Sequence, residues 1–243
     1  MRVRRLLRVI RVDAIALGAS FIVMAGTATA SPLLVENFDN VAALSGSGWA
    51  LVNNSQPVGS TGWFQGNDSV FAAQSGAPDA YVAANFNGAA AGGNLSEWLI
   101  SPTLTFDDGD SITFYTRTEV ASGFPDRLEV RLSTNGSSAN VGATDSSVGD
   151  FTTLLLTINP LLEPDGYPSA WTPFTVALAG LGASTSGRFA FRYAVTNTDI
   201  NGDYIGIDSV VVNTPEPCTL ALIGAGILAA RARHRRTSNR ARS

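Results

Sequence analysis

The chain has 243 residues, 45% hydrophobic and 15% charged, with one cysteine and one histidine; that excludes a disulfide framework and leaves thiol or histidine-dependent chemistry short of partners. The net charge of −4 hides a segregation: all 16 basic residues are arginine, eleven of them near the two ends, while residues 31–214 carry 18 of the 20 acids and five arginines, close to −13. A middle this acidic repels nucleic acid and anionic membranes and has no basic phosphate footprint, which leaves a solvated surface or an attraction for divalent cations.

Residues 1–30 read as an export signal. Arg2, Arg4, Arg5, Arg8 and Arg11 precede an apolar run from Ala14 to Ala25, and Ala28-Thr29-Ala30 follows. The order is positive segment, short apolar segment, small-residue cleavage site, so signal peptidase is expected to cut after Ala30. The apolar run is too short for a spanning helix. The pair Arg4-Arg5 resembles a twin-arginine signal but lacks the preceding Ser or Thr and the usual Phe.

The middle, 31–213, is about the size of one domain and buries a core without disulfides. Its pattern is all-β. Leu128, Val130 and Leu132 alternate with Arg127, Glu129, Arg131 and Ser133; Ile112 and Phe114 alternate with Thr113 and Tyr115; Phe189, Phe191, Tyr193 and Val195 alternate with Arg188, Ala190, Arg192 and Ala194. Period two puts one face in a core and the other in water. Further strands are expected over 33–38, 61–65, 80–86, 97–101, 151–158, 171–178 and 204–212. Gly, Asn, Asp, Ser and Pro clusters separate them, as in sandwiches and barrels. The polar stretch 141–149 reads as a long surface loop and 161–170 as irregular. Asn201-Gly202 reads as a hairpin turn between the strands at Phe189 and Tyr204.

The last thirty residues have their own order: Pro215-Glu216-Pro217, an apolar run from Cys218 to Ala230, then Arg231, Arg233, His234, Arg235 and Arg236 within the tail 231–243. A helix over 218–230 is only about 20 Å long, against a hydrocarbon core of roughly 30 Å. Flanking arginines snorkel and stay cytoplasmic, which places the acidic domain outside the inner membrane. So short a helix suits a temporary hold. The linker from 213 to 217 keeps the domain beside the membrane until it is cut.

Two resemblances follow from these residues. Pro215-Glu216-Pro217, the apolar run and the arginine cluster resemble the PEP-CTERM sorting signal of Gram-negative bacteria. That implies processing near the motif by an exosortase-type transpeptidase, in a host that makes exopolysaccharide or biofilm. The middle resembles the choice-of-anchor J domain, a relative of cleaved-adhesin and MAM-type jelly rolls. The resemblance rests on Glu36-Asn37-Phe38-Asp39, Gly48-Trp49, Trp63-Phe64-Gln65-Gly66-Asn67, Trp98-Leu99-Ile100-Ser101-Pro102, Arg188 to Tyr193 and Ile205 to Val210. It implies a jelly-roll β-sandwich and no single activity. Together the two imply an exported, non-enzymatic surface or matrix protein in contact with extracellular polysaccharide. A lectin-like module is the alternative, and a glycan-active enzyme a third reading.

Candidate sites follow. Related jelly rolls hold a structural Ca²⁺ between first and last strands, so Glu36, Asp39 and Asp208 are candidate oxygen ligands. The competing reading is three surface carboxylates. Asp208 shares parity with Tyr204 and Gly206 and is expected to face away from the core. Asp107-Asp108-Gly109-Asp110 reads as a turn, with cation binding as its alternative. Asp199 to Asp203 fails as an EF-hand loop, because its Gly is misplaced and Val210 stands where the bidentate Glu belongs. Trp63, Phe64 and Asn67 combine rings with an amide, as sugar binding requires. The same tryptophans equally suit a packed core. Acids are plentiful enough for a glycosidase pair, yet nothing in the sequence singles out two.

Overall fold

The computed structural model describes residues 31–215. The expected signal peptide with Ala28 and Ala30, Glu216, Pro217, the apolar run 218–230 and the basic tail lie outside the described residues.

The strands, in chain order, are β1 (Leu34–Glu36), β2 (Ala50–Asn53), β3 (Gln56–Val58), β4 (Phe64–Gln65), β5 (Val82–Asn85), β6 (Ala89–Asn94), β7 (Glu97–Ile100), β8 (Leu104–Phe106), β9 (Ser111–Thr118), β10 (Leu128–Ser133), β11 (Thr153–Ile158), β12 (Thr172–Ala177), β13 (Thr185–Tyr193) and β14 (Tyr204–Asn213). Sheet A runs β12-β9-β14-β5-β4, with β1 on the end of β14. Sheet B runs β11-β10-β13-β7-β2, with β8 on the start of β13. All these pairs are antiparallel. The ribbon β3–β6 stands apart. Between β1 and β2 a 3-10 segment, Val41–Ser47, buries Val41 and Leu44.

The period-two reading holds where it was plainest. In β9 every second residue is buried: Ile112, Phe114, Thr116 and Thr118. From sheet A these meet Ile205, Ile207, Val210 and Val212, and from sheet B Leu99, Leu128, Val130, Phe189 and Phe191, in one core. The rings of Phe114 and Phe191 touch across it at 4.8 Å. Burial of apolar surface between the two inner faces is the main stabilising term.

The other faces do not meet water as expected. On sheet B, Glu129, Ala190 and Arg192 are buried. The stretch 134–152 folds over them, and Val141 and Phe151 join Trp98, Ile100 and Ala190 in a second cluster. The expected surface loop is thus a cover. On sheet A the stretch 66–81 does the same, gathering Phe71, Tyr81, Ala83 and Tyr204, with Trp171 packed against them. The strands beneath these covers, such as β5 and β7, are buried on both faces and read as continuous apolar runs.

Two further expectations change. β13 and β14 lie in different sheets, so the Asn201-Gly202 turn carries the chain across the sandwich and closes no hairpin. Strands β2, β3, β6 and β8 carry too little alternation to be read; β6 is Ala-Ala-Ala-Gly-Gly-Asn.

Candidate functional site

β1 pairs with the end of β14 and sets Glu36 opposite Val210, two residues beyond Asp208. First and last strands are therefore neighbours, as the calcium expectation requires. The three acids still do not form a ligand set. Glu36 Oε1 accepts the N–H of Phe38 at 2.9 Å, and Asp39 is exposed. Asp208 is fully buried under the sheet A cover. Its Oδ2 accepts the backbone N–H of Gln74 at 2.9 Å and of Ser75 at 3.1 Å; Oδ1 accepts the N–H of Ser209 at 2.5 Å. A carboxylate ringed by N–H donors has its lone pairs directed at positive hydrogens, which is the wrong surrounding for a cation. Among the described residues no three acidic, histidine or cysteine side chains stand where they could share a metal ion. Asp208 does face away from the main core, as its parity required, and a bulge after it lets β14 regain register at Val211. Burial pushes its carboxyl up, and the N–H donors oppose that only in part.

Trp63, Phe64 and Asn67 separate for a reason of strand geometry. Consecutive residues point to opposite faces. Trp63 joins the main core, whereas Phe64 packs on the outer cluster, edge-on to Tyr204 at 5.8 Å. Asn67 lies in the cover; its side chain accepts the N–H of Ser69, and its backbone N–H is held by the hydroxyls of Tyr81 and Tyr204. The three form no single platform.

Trp63 and Phe64 nevertheless line one side of a groove of about 820 Å³, with Gln65 beside them. Trp49 and Leu51 line the other side, and Asn40 and Ser45 of the 3-10 region close it. The walls are β4 and β2, the edge strands of the two sheets. Leu51 is 38% exposed and Phe64 half-buried, so both offer apolar surface. The rings of Trp49 and Trp63 are almost wholly covered, and neither indole N–H has a hydrogen-bond partner. Trp49 lies edge-on between Phe38 and Phe189, at 5.6 and 5.9 Å. The amide of Gln65 is spent on Val41 N and the carbonyl oxygens of Phe38 and Asp79. Asn40 and Ser45 remain exposed. Sequence reasoning missed Asn40, Ser45 and Leu51. The packing of β2 and the 3-10 segment beside β4 brings them to Phe64.

Two buried acids also escaped it. Asp126 clasps the sheets: it accepts the hydroxyl of Thr118 from sheet A at 2.5 Å, that of Tyr193 from sheet B at 2.5 Å, and Asp203 N–H at 2.8 Å. Burial pushes it up to about 6 against these donors. It backs a polar cavity of about 220 Å³ that Glu119, Glu163 and Asp165 also line. Three bonds fix both of its oxygens in a structural task. Glu97 is fully buried on β7, and neither carboxylate oxygen has a partner. Burial lifts it to about 8.

The comparisons with known proteins divide at the end of β14. Residues 213–236 match the PEP-CTERM protein-sorting motif. The tail therefore carries this motif. The chain is similar in fold to the K1 cleaved adhesin domain of Lys-gingipain from Porphyromonas gingivalis W83, at TM-score 0.52 and 23% identity, over 75% of this chain and 98% of that one. The K2 domain of the same protein gives TM-score 0.51 and 21% identity over 74% and 99%. The K3 domain gives 0.50 and 18% over 77% and 100%. At such identities the likeness is one of fold, an all-β sandwich. No curated protein matches the sequence. Among the described residues no helix is long and apolar enough to cross a membrane; the expected span lies outside them.

Proposed function

We propose that this is an exported, non-enzymatic surface or matrix protein, sorted through its C-terminal motif and in contact with extracellular polysaccharide. The observation that carries the reading is the sorting motif, which starts where the adhesin-type sandwich ends. In this reading signal peptidase removes 1–30, the 218–230 segment holds the chain in the inner membrane, and an exosortase-type enzyme acts at Pro215-Glu216-Pro217. The sandwich is what reaches the outside. Two clasped sheets, each with part of its outer face covered, make a packed body suited to that exposure. Fractionation of a host that carries such an enzyme tests this. The domain is expected outside the inner membrane without residues 231–243; recovery solely as uncleaved cytoplasmic chain overturns it.

The edge groove supports a lectin-like second reading. Phe64 and Leu51 offer apolar surface for the C–H face of a sugar, and Asn40 and Ser45 offer hydrogen bonds to its hydroxyls. The covers close the outer faces over β5, β7 and their neighbours, and the groove is the open apolar surface beside them. A glycan array with residues 31–215 is expected to show binding that Phe64→Ala weakens about tenfold, a loss typical of one aromatic contact. Binding unchanged in that variant removes the groove from the reading.

A further inference from the structure

The sorting motif and the fold overlap. Asn213, the first residue of the matched segment, is also the last of β14, where it pairs with Ser111 of β9. Thr214 is half-buried. Pro215, the first residue of Pro215-Glu216-Pro217, lies on the β8–β9 turn: a Cβ at Gly109 would stand 2.9 Å from its Cγ. That turn is not loose. Gly109 N–H bonds to Leu178 O at 2.8 Å, Leu178 N–H to Asp110 O at 2.7 Å, and Asp108 Oδ1 accepts Leu181 N–H at 2.8 Å. Leu33 N–H bonds to Val212 O at 2.7 Å and holds the other side of β14. The chain therefore leaves the sandwich with a single residue, the half-buried Thr214, between the last ladder pair and Pro215, which is exposed but lies against the turn.

An enzyme that cuts a peptide chain grips several residues on both sides of the scissile bond, in extended form. Residues fixed in a sheet are not available to it until that sheet end opens. We propose that the folded sandwich gates its own processing: the enzyme engages the motif only after Pro215 has lifted from Gly109 and the Asn213–Ser111 pair has parted. The rate of release is then set by fraying of the last turns of β14. The inference rests on the sorting reading and adds to it a constraint placed by the domain.

The full chain in an exosortase-bearing host, followed by pulse-chase, tests it. Six Gly and Ser residues inserted between Thr214 and Pro215 leave every strand intact and add the missing slack. Processing is expected to be at least about threefold faster. Asn213→Gly loosens the last pair without added length and is expected to speed it less. Amide exchange at Asn213 reads the opening without reference to activity and is expected to rise in Asn213→Gly while Ile207 stays protected. Processing of the insertion variant at the rate of the unaltered chain, or slower, overturns the gate while the sorting reading stands. Absence of processing in both chains overturns the sorting reading, and the gate with it.

Discussion

The covers over the two sheets solve one problem with opposite charges. Each outer face carries an apolar patch with an irregular stretch laid on it, and an irregular stretch brings backbone groups that sheet pairing does not satisfy. On sheet A the stretch 66–81 presents N–H groups, and the anion Asp208 accepts those of Gln74 and Ser75. On sheet B the stretch 134–152 presents carbonyl oxygens, and guanidinium groups donate to them: Arg131 to Phe151 O, and Arg192 to Asp145 O. Arg192 also lies over the Trp98 ring at 5.1 Å, and both arginines pair with Glu129, at 2.7 Å for Arg131 and 3.1 Å for Arg192. Burial alone would raise Glu129, but the arginines bring it below its ordinary value. The packing differs as well. The sheet A cover is a stack of rings, with Phe71 on Tyr81 at 5.1 Å and Trp171 edge-on to both at 5.6 Å. At Gly206 a Cβ would stand 2.9 Å from each of Phe71, Tyr81 and Trp171, so glycine lets these rings lie on the sheet. The sheet B cover sets Val141 and Phe151 around one indole, with the Phe151 ring tilted on Trp98 at 5.6 Å. The lesson is that the polarity of the buried anchor follows from which backbone groups the cover turns inward.

Removal of the indole is expected to break the sheet B side most. Trp98 is fully buried, and its N–H donates to Ser96 Oγ at 3.1 Å, a hydroxyl that Arg192 Nε shares at 3.0 Å. Trp98→Ala leaves a cavity under the cover and takes the ring from Arg192. A loss of about 3–5 kcal/mol in urea unfolding is expected. Amide exchange in 139–151 should rise with it, while Gln74 and Ser75 stay protected up to global unfolding. Equal loss of protection in both covers would show that the two are one cooperative unit.

This contrast was half legible in the sequence. Period two placed the inward residues of β9, β10 and β13, because apolar inward and polar outward positions differ in hydration whatever lies beyond. It placed Asp208 off the main core for the same reason. It failed on the outward residues: Glu129 and Arg192 are charged, and charge at alternating positions reads as solvent. The missed signal was in the strands without alternation. Tyr81-Val82-Ala83-Ala84 and Trp98-Leu99-Ile100 have no polar face, which is the mark of a strand covered on both sides. The groove was less legible. Trp63 and Phe64 are adjacent in sequence, but what they line depends on β2, which has no pattern of its own. The calcium trio failed because parity and chain order bring strands together without saying whether a carboxylate already holds donors.

A second buried acid sharpens the comparison through pH. Asp208, in sheet A, is fully hydrogen-bonded; Glu97, in sheet B, has no partner. Across the ladder Glu97 faces Tyr193 and Asn53, and the carboxylate lies against Gly88 and Leu95. The titratable group beside it is thus Tyr193, whose hydroxyl is engaged with Asp126. Glu97 rises from 4.5 to about 8, so it folds protonated. The stability linked to it is fully present below pH 4.5 and is lost as pH climbs to about 8. Asp126 adds a step in the same direction, from 3.8 to about 6. Unfolding free energy should therefore fall from pH 5 to pH 9, by up to about 4 kcal/mol for Glu97. Glu97→Gln, neutral throughout, should flatten the part above pH 6 and melt higher than the unaltered protein at pH 9. A flat profile in the unaltered protein would mean that the sheet B interior accommodates the charge.

The smallest of these effects falls on Asp208, and it separates a local anchor from a global one. Asp208→Ala leaves Gln74 and Ser75 N–H groups unpaired, a cost of about 1–3 kcal/mol. The ring stack of Phe71, Tyr81 and Trp171 still holds its part of the cover, and Trp171 Nε1 still donates to Ala72 O at 2.8 Å. Exchange should therefore rise at Gln74 and Ser75 and little elsewhere, with a modest drop in melting temperature. Asp208→Asn keeps one oxygen acceptor and should recover about half of the loss. It offers no second carboxylate oxygen to Ser209 N–H, so it should not recover all. If Asp208→Ala freed the whole stretch 66–81, the anion and not the rings would hold sheet A's cover, and the anchor would be global and not local.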